Sequence, residues 1–172
     1  MTIAEAAQAL RARRISSLEL TRQCLDQIAK LNPVLNAFIT VTGDSALARA
    51  EELDRELAQG VDRGPLHGIP IAHKDLMWTK GVRTTSGSKI FADFVPDHDA
   101  AVVAKLADAG AVMVGKAGLH ELAYGITSDN PHFGTIRNPR KPESPKSARP
   151  FRPMVRKPRS AAGTRDGLDR GR

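Results

Sequence analysis

Apolar and polar positions change their period several times along the chain, and each change marks an element. Thr2 with Glu5, and Ser16 with Glu19, fit the S/T-x-x-E capping box. That pattern satisfies orphan amide donors and predicts a helix start at each site. In the second helix Leu18, Leu25 and Ile28 fall on one stripe, and Asn32-Pro33 predicts its end, because proline disfavours helical backbone in the residue before it. Residues 35–41, with Ala-Phe-Ile-Thr-Val at their centre, predict a short strand. A charged helix over 45–59 follows, with Gly60 placed as its cap. Residues 69–74 predict a second strand. Asp97 or Asp99 is positioned to cap a helix over 100–109, closed by Gly110. Residues 111–115 are continuously apolar, the pattern of a strand buried on both faces. This order of elements predicts an α/β fold with a mixed or parallel sheet.

The pattern stops near Asn138. Residues 138–172 show neither helical nor strand periodicity and hold six of the eleven prolines, which remove backbone donors. Charge divides at the same point. The whole 172-residue chain has a formal charge of +7, but eight Arg and three Lys against Glu143, Asp166 and Asp169 place +8 in the last 35 residues. Residues 1–137 carry −1. The reading is a body over 1–137 and a disordered basic tail over 138–172. Basic tails bind polyanions through phosphate, yet this one has a single aromatic, Phe151, to stack on bases. A nucleic-acid partner is therefore not the expected one, and a non-catalytic protein whose basic tail binds nucleic acid stands as the alternative reading. The start Met1-Thr2-Ile3-Ala4-Glu5 lacks the basic, apolar plan of a secretory signal, and no apolar run approaches a membrane span. A cytoplasmic location with no membrane partner is expected.

Several residues could carry chemistry. Lys74 stands at the carboxyl end of an apolar strand, where open α/β sheets place ligands. Burial would lower its pKa and make it a base; exposure would make it a solvated strand cap. Gly110 to Lys116 spell G-x-x-x-x-G-K, but Ala117 replaces the magnesium-binding hydroxyl and the intervening residues are strand formers, so a phosphate loop is rejected. His67, His73, His98, His120 and His132 lack metal-ligand spacing, and Cys24 lies in an amphipathic helix as a core residue. No metal or other cofactor is expected. Two segments are rich in hydroxyl and amide groups: Thr84-Thr85-Ser86-Gly87-Ser88, and Tyr124-Gly125-Ile126-Thr127-Ser128-Asp129-Asn130-Pro131. Each fits a pocket lining or plain turn chemistry.

Taken in order, these segments resemble the amidase signature family. The likeness is carried by Pro65-Leu66-His67-Gly68-Ile69-Pro70, Lys74-Asp75, the 84–88 segment, Gly115-Lys116, His120-Glu121-Leu122-Ala123-Tyr124-Gly125 and Asn130-Pro131-His132-Phe133-Gly134, followed by Arg137-Asn138-Pro139. It spans about residues 1–139, the N-terminal part of the family's α/β/α fold. The resemblance implies cleavage of a carboxamide C–N bond by a Ser–cis-Ser–Lys triad. Lys74 takes the place of the base, and Tyr124, Gly125, Thr127, Ser128 and Asn130 fall in a segment that helps line the substrate pocket. It also implies a small-molecule amide substrate. For the tRNA-dependent amidotransferases within the family it implies partner subunits.

Two departures accompany the likeness. Ala117 and Gly118 replace the usual threonine and asparagine after Gly-Lys. After Asn138-Pro139, the glycine- and serine-rich stretches that supply both triad serines have no counterpart, and Ser144, Ser147 and Ser160 sit among Pro and Arg. The chain is therefore expected to be inactive alone. The tail's composition is that of GC-rich DNA read out of frame, and a frameshift near codon 139 is the expectation. Translating the locus in its other two frames tests it: a Gly-Ser-Ser-Gly stretch should appear in one of them.

Overall fold

The computed structural model describes residues 1–140; the tail expected over 138–172 lies, beyond Arg140, outside the described residues. Among the described residues four α-helices and three strands form in the order α1 (Ile3–Arg11), α2 (Ser17–Leu35), β1 (Phe38–Val41), α3 (Gly43–Ala58), β2 (Pro70–Lys74), α4 (Ala101–Asp108) and β3 (Val112–Ala117). The sheet is mixed, with order β1-β3-β2. β3 runs antiparallel to β1 and parallel to β2. The parallel pair needs a long crossover, which residues 75–111 supply and which includes α4.

Both capping boxes form: the Thr2 and Ser16 side chains accept from the Glu5 and Glu19 amides, and each glutamate accepts the cap amide in return. α2 is also capped from outside, because the Asp54 carboxylate on α3 accepts from the amides of Ser17 (2.7 Å) and Leu18 (2.9 Å). Anionic oxygen at a helix N-terminus is favoured by the helix dipole. The stripe of Leu18, Leu25 and Ile28 packs where the sequence places it, against the buried cluster of Ala46, Ala50, Leu53, Val112 and Val114. A second cluster joins Ala6, Ala7, Leu10 and Leu20 to Ile69. The core thus lies between the first three helices and one face of the sheet.

Several boundaries differ from the sequence pattern. α2 passes through Pro33 and ends at Asn36, which caps it in the left-handed region with φ 51°. Asn32 holds that last turn by bonding both the amide and the carbonyl of Phe38. β1 consequently starts at Phe38. Neither Asp97 nor Asp99 caps α4: Ala100 occupies the cap position without a side-chain bond. Asp99 instead accepts from the Lys80 amide (2.7 Å), and Asp97 pairs with His98. A distant loop amide won the competition for a carboxylate that local sequence assigned to the helix. β3 runs two residues beyond its apolar stretch and takes in Lys116. Gly115 permits this: a Cβ there would stand 2.5 Å from the Thr40 carbonyl of the neighbouring strand.

Candidate functional site at the carboxyl ends of β2 and β3

The two parallel strands end together, with His73 paired to Lys116 and Lys74 to Ala117. Successive strand residues face opposite sides of a sheet. Ala72 and Lys74 accordingly point to an exposed face, while His73 is buried on the other. Among the described residues the Lys74 side chain makes neither an ion pair nor a hydrogen bond. It is the solvated lysine in this structure.

Asp75 follows at once and is fully buried. Its Oδ2 accepts from the Thr85 amide (3.0 Å) and the Thr85 hydroxyl (2.5 Å). Its carbonyl accepts from the Ser86 amide, and its own amide donates to Ala117. Burial pushes the Asp75 carboxyl above its ordinary pKa, against the pull of the Thr85 donors and the positive charge of Lys116. The chain next to Lys74 is therefore pinned both to β3 and to the 84–88 segment.

Within that segment most hydroxyls are bonded inside the protein. Thr84 donates to Val82, Thr85 serves Asp75, and Ser88 donates to Glu121. Ser86, with φ 51°, has no side-chain bond. Bonds within the chain thus occupy three of the four hydroxyls, one in a turn and two across to Asp75 and Glu121.

The third strand-end group is one to which the sequence assigned no role. Lys116 is fully buried, and its Nζ donates to the Met77 carbonyl, Thr79 Oγ1 (3.1 Å) and Thr84 Oγ1 (2.9 Å). Both threonines pass their own protons to carbonyls, at Met77 and Val82. Their lone pairs and the Met77 carbonyl thus meet all three donors of the ammonium group. Burial lowers the Lys116 pKa, while Asp75 and Asp99 oppose that fall. The signal available in the sequence was a lysine closing an all-apolar strand. Its acceptors lie more than 30 residues away. The rejected phosphate-loop motif is strand, since Val112 to Lys116 pair along the sheet.

The loop over 124–130 reaches the same end of the sheet through Asn130. That side chain is buried and fully bonded: Nδ2 donates to Gly87 (2.7 Å) and Leu119 (2.9 Å), and Oδ1 accepts from His132 (2.8 Å) and Phe133 (2.9 Å). It ties the loop to the 84–88 segment. Tyr124 is 95% exposed, Thr127 is exposed and meets His120 at 3.3 Å, and Ser128 has φ 57°. Gly125 packs against the His120 ring, where a Cβ would approach within 2.6 Å. Hydrogen bonds thus join Asp75, 84–88 and 119–130 into one platform beside Lys74.

The remaining histidines and the cysteine have local roles. His67 is buried between the Arg63 amide and the Leu53 carbonyl, and His132 pairs with Glu121. Burial raises the Cys24 thiol pKa, the opposite of what a nucleophile needs. Among the described residues no three His, Cys, Asp or Glu side chains gather to hold a metal, and no helix is long and apolar enough to cross a membrane.

Comparison with known proteins gives the family. Residues 19–145 match the family described as Amidase. The chain is 51% identical over 138 residues to the A subunit of glutamyl-tRNA(Gln) amidotransferase from Azoarcus sp. strain BH72, covering 80% of this chain and 28% of that protein. The counterpart in Azotobacter vinelandii strain DJ is 49% identical over 139 residues, covering 81% and 29%. Among solved structures, the native peptide amidase from Stenotrophomonas maltophilia superposes with a TM-score of 0.74 at 38% identity, covering 81% of this chain and 30% of that one. The chain spans less than a third of the length of these relatives. On the match over 19–145 and the shared fold, the chain belongs to the amidase family.

Proposed function

We propose that this chain contributes the lysine of an amide C–N hydrolase, with Lys74 as the base of a Ser–cis-Ser–Lys triad. The observation that carries the reading is the contrast at the strand ends. Lys116 is saturated by three acceptors, whereas Lys74 is exposed, unpartnered and flanked by an anchored aspartate. The Lys74 amine is thus uncommitted, and it becomes a base once the serine-bearing segments cover it and disfavour its charged form. Lys74 would take a proton through the bridging serine, activating the second serine to attack the amide carbonyl. Tyr124, Gly125, Thr127 and Ser128 line the substrate side of the platform. Asn130, whose polar atoms are all bonded within the chain, holds that loop in place. Both serines must come from sequence that has no counterpart in these 172 residues, so the chain alone is inactive. We propose the frameshift near codon 139 as the origin of that lack.

The identity to the glutamyl-tRNA(Gln) amidotransferase of Azoarcus, 51% against 38% for the peptide amidase, favours a tRNA-dependent amidotransferase over a general amidase. In that reading the amide is hydrolysed to supply ammonia, and partner subunits are required.

A chimera tests both points. Residues 1–137 replace the matching segment of a homologous full-length amidotransferase chain, and ammonia release from glutamine is measured with and without its partner subunits. The chimera is expected to be active. Its Lys74→Ala variant should lose roughly 10³-fold or more, since triad members act as a unit. A Lys74→Ala chimera of undiminished activity would overturn the assignment.

A further inference from the structure

The face of β2 opposite Lys74 leaves a buried nitrogen without a partner. His73 is 4% exposed, and its Nδ1 is buried and makes no hydrogen bond. Burial and the nearby Lys116 charge disfavour the protonated ring, so the imidazole is neutral, with one N–H and one lone pair. An orphaned donor is the rarer defect inside proteins, which assigns the lone pair to Nδ1 and the hydrogen to Nε2. The ring therefore offers a donor, and among the described residues no acceptor meets it.

His73 lines a cleft of about 270 Å³ between α3 and α4. Val82, Val103, Leu106 and Met113 give it largely apolar walls. Three charged side chains border it: Arg49, Lys80 and Asp99. Arg49 is committed to Glu52 and the Ala107 carbonyl. Asp99 accepts from the Lys80 amide, and its charge acts on the buried Lys116 ammonium. At the His73 ring the positive charge of Lys116 outweighs the negative charge of Asp99. Lys80 is exposed, and among the described residues its ammonium makes neither an ion pair nor a hydrogen bond. The donors left uncommitted are the His73 N–H and the Lys80 ammonium.

We infer that this cleft binds a small monocarboxylate with an apolar body. The hydrocarbon part fills the apolar walls. The carboxylate sits between the two donors, accepting from the His73 N–H while Lys80 folds over it on a flexible stem. A neutral amide would leave the ammonium without a counter-charge, and an amine would meet it with a like charge. An inorganic anion would leave the apolar walls wet. Adjacent strand residues face opposite sides, so the cleft is separate from the Lys74 platform and does not rest on the function proposed for it.

The test titrates the full 172-residue chain with sodium benzoate, following its NMR resonances and its melting temperature. Saturable shifts are expected at Ala46, His73 and Val103, together with a rise in melting temperature. Benzamide and benzylamine should each bind roughly five-fold more weakly or worse, the scale of one exposed ion pair, and inorganic phosphate should not compete. Lys80→Gln, an exposed substitution, should weaken benzoate by a similar factor without lowering the melting temperature of the free chain. His73→Leu should weaken it as well, and Leu106→Trp, which fills the cleft, should abolish the shifts. Lys74→Ala should leave the affinity unchanged. Benzamide or phosphate binding as tightly as benzoate, or Lys80→Gln binding as tightly as wild type, would overturn the inference. So would loss of binding in Lys74→Ala, since the ligand would then belong to the other face. A wild-type chain without dispersed resonances would overturn it too, because such a chain holds no cleft.

Discussion

Two lysines stand at neighbouring strand ends, and their surroundings divide the chemistry between them. Lys116 closes β3 inside the protein, with a carbonyl and two threonine hydroxyls around its ammonium group. Lys74 closes β2 on an open face with no partner. The pairing register offsets them by one residue, His73 lying opposite Lys116 and Lys74 opposite Ala117. That single step sends one lysine into the core and the other to the surface. The buried cation organises the loops; the exposed one is open to solvent.

The contrast breaks most directly by removing each lysine. Lys116→Ala should destabilise the chain by about 3 kcal/mol, through a lost buried side chain and its charged hydrogen bonds. Lys74→Ala should change stability by no more than about 0.5 kcal/mol, as surface substitutions do. Urea unfolding of the two variants decides it, and equal losses would end this division of roles.

Asn130 sharpens the same contrast from the loop side. Its four hydrogen bonds are all buried or half-buried. Asn130→Ala should cost about 2 kcal/mol by leaving the Gly87 and Leu119 carbonyls without these donors. Hydrogen exchange should quicken over 124–134 while the β3 amides stay protected.

The smallest expected effect is on pH dependence. Burial and the nearby charge of Lys116 lower the His73 pKa, so the unfolded chain binds this proton more readily than the folded one. His73 thus adds nothing to the pH slope above about 6.5, and stability falls as pH drops below it. Asp75 acts in the opposite sense: its raised pKa favours the folded chain in acid, and that contribution is lost as pH rises through the folded value. Comparing wild type with His73→Leu between about pH 6.5 and 5 isolates the first effect. The variant should show the shallower decline.

Much of the body was legible in sequence because its signals are local. Both capping boxes, the Leu18–Leu25–Ile28 stripe and the apolar run of β3 report on residues a few positions apart, and each appears where the pattern put it. The Asp97 and Asp99 cap failed for the converse reason, since Lys80 offered an amide that only the folded chain brings near. Lys74 was marked by its place at a strand end, but its exposure could not be read from its neighbours.

The sequence alone determined the elements, the order in which they follow, and the motifs that carry the family likeness. Helix caps and periodicities act over three or four residues and need no folded partner. Only the tertiary structure decided which strand-end lysine is buried, that Asn130 is a structural tie, and that His73 faces a cleft unpaired. Those outcomes depend on register and on acceptors tens of residues away, which meet only after β2 and β3 have paired.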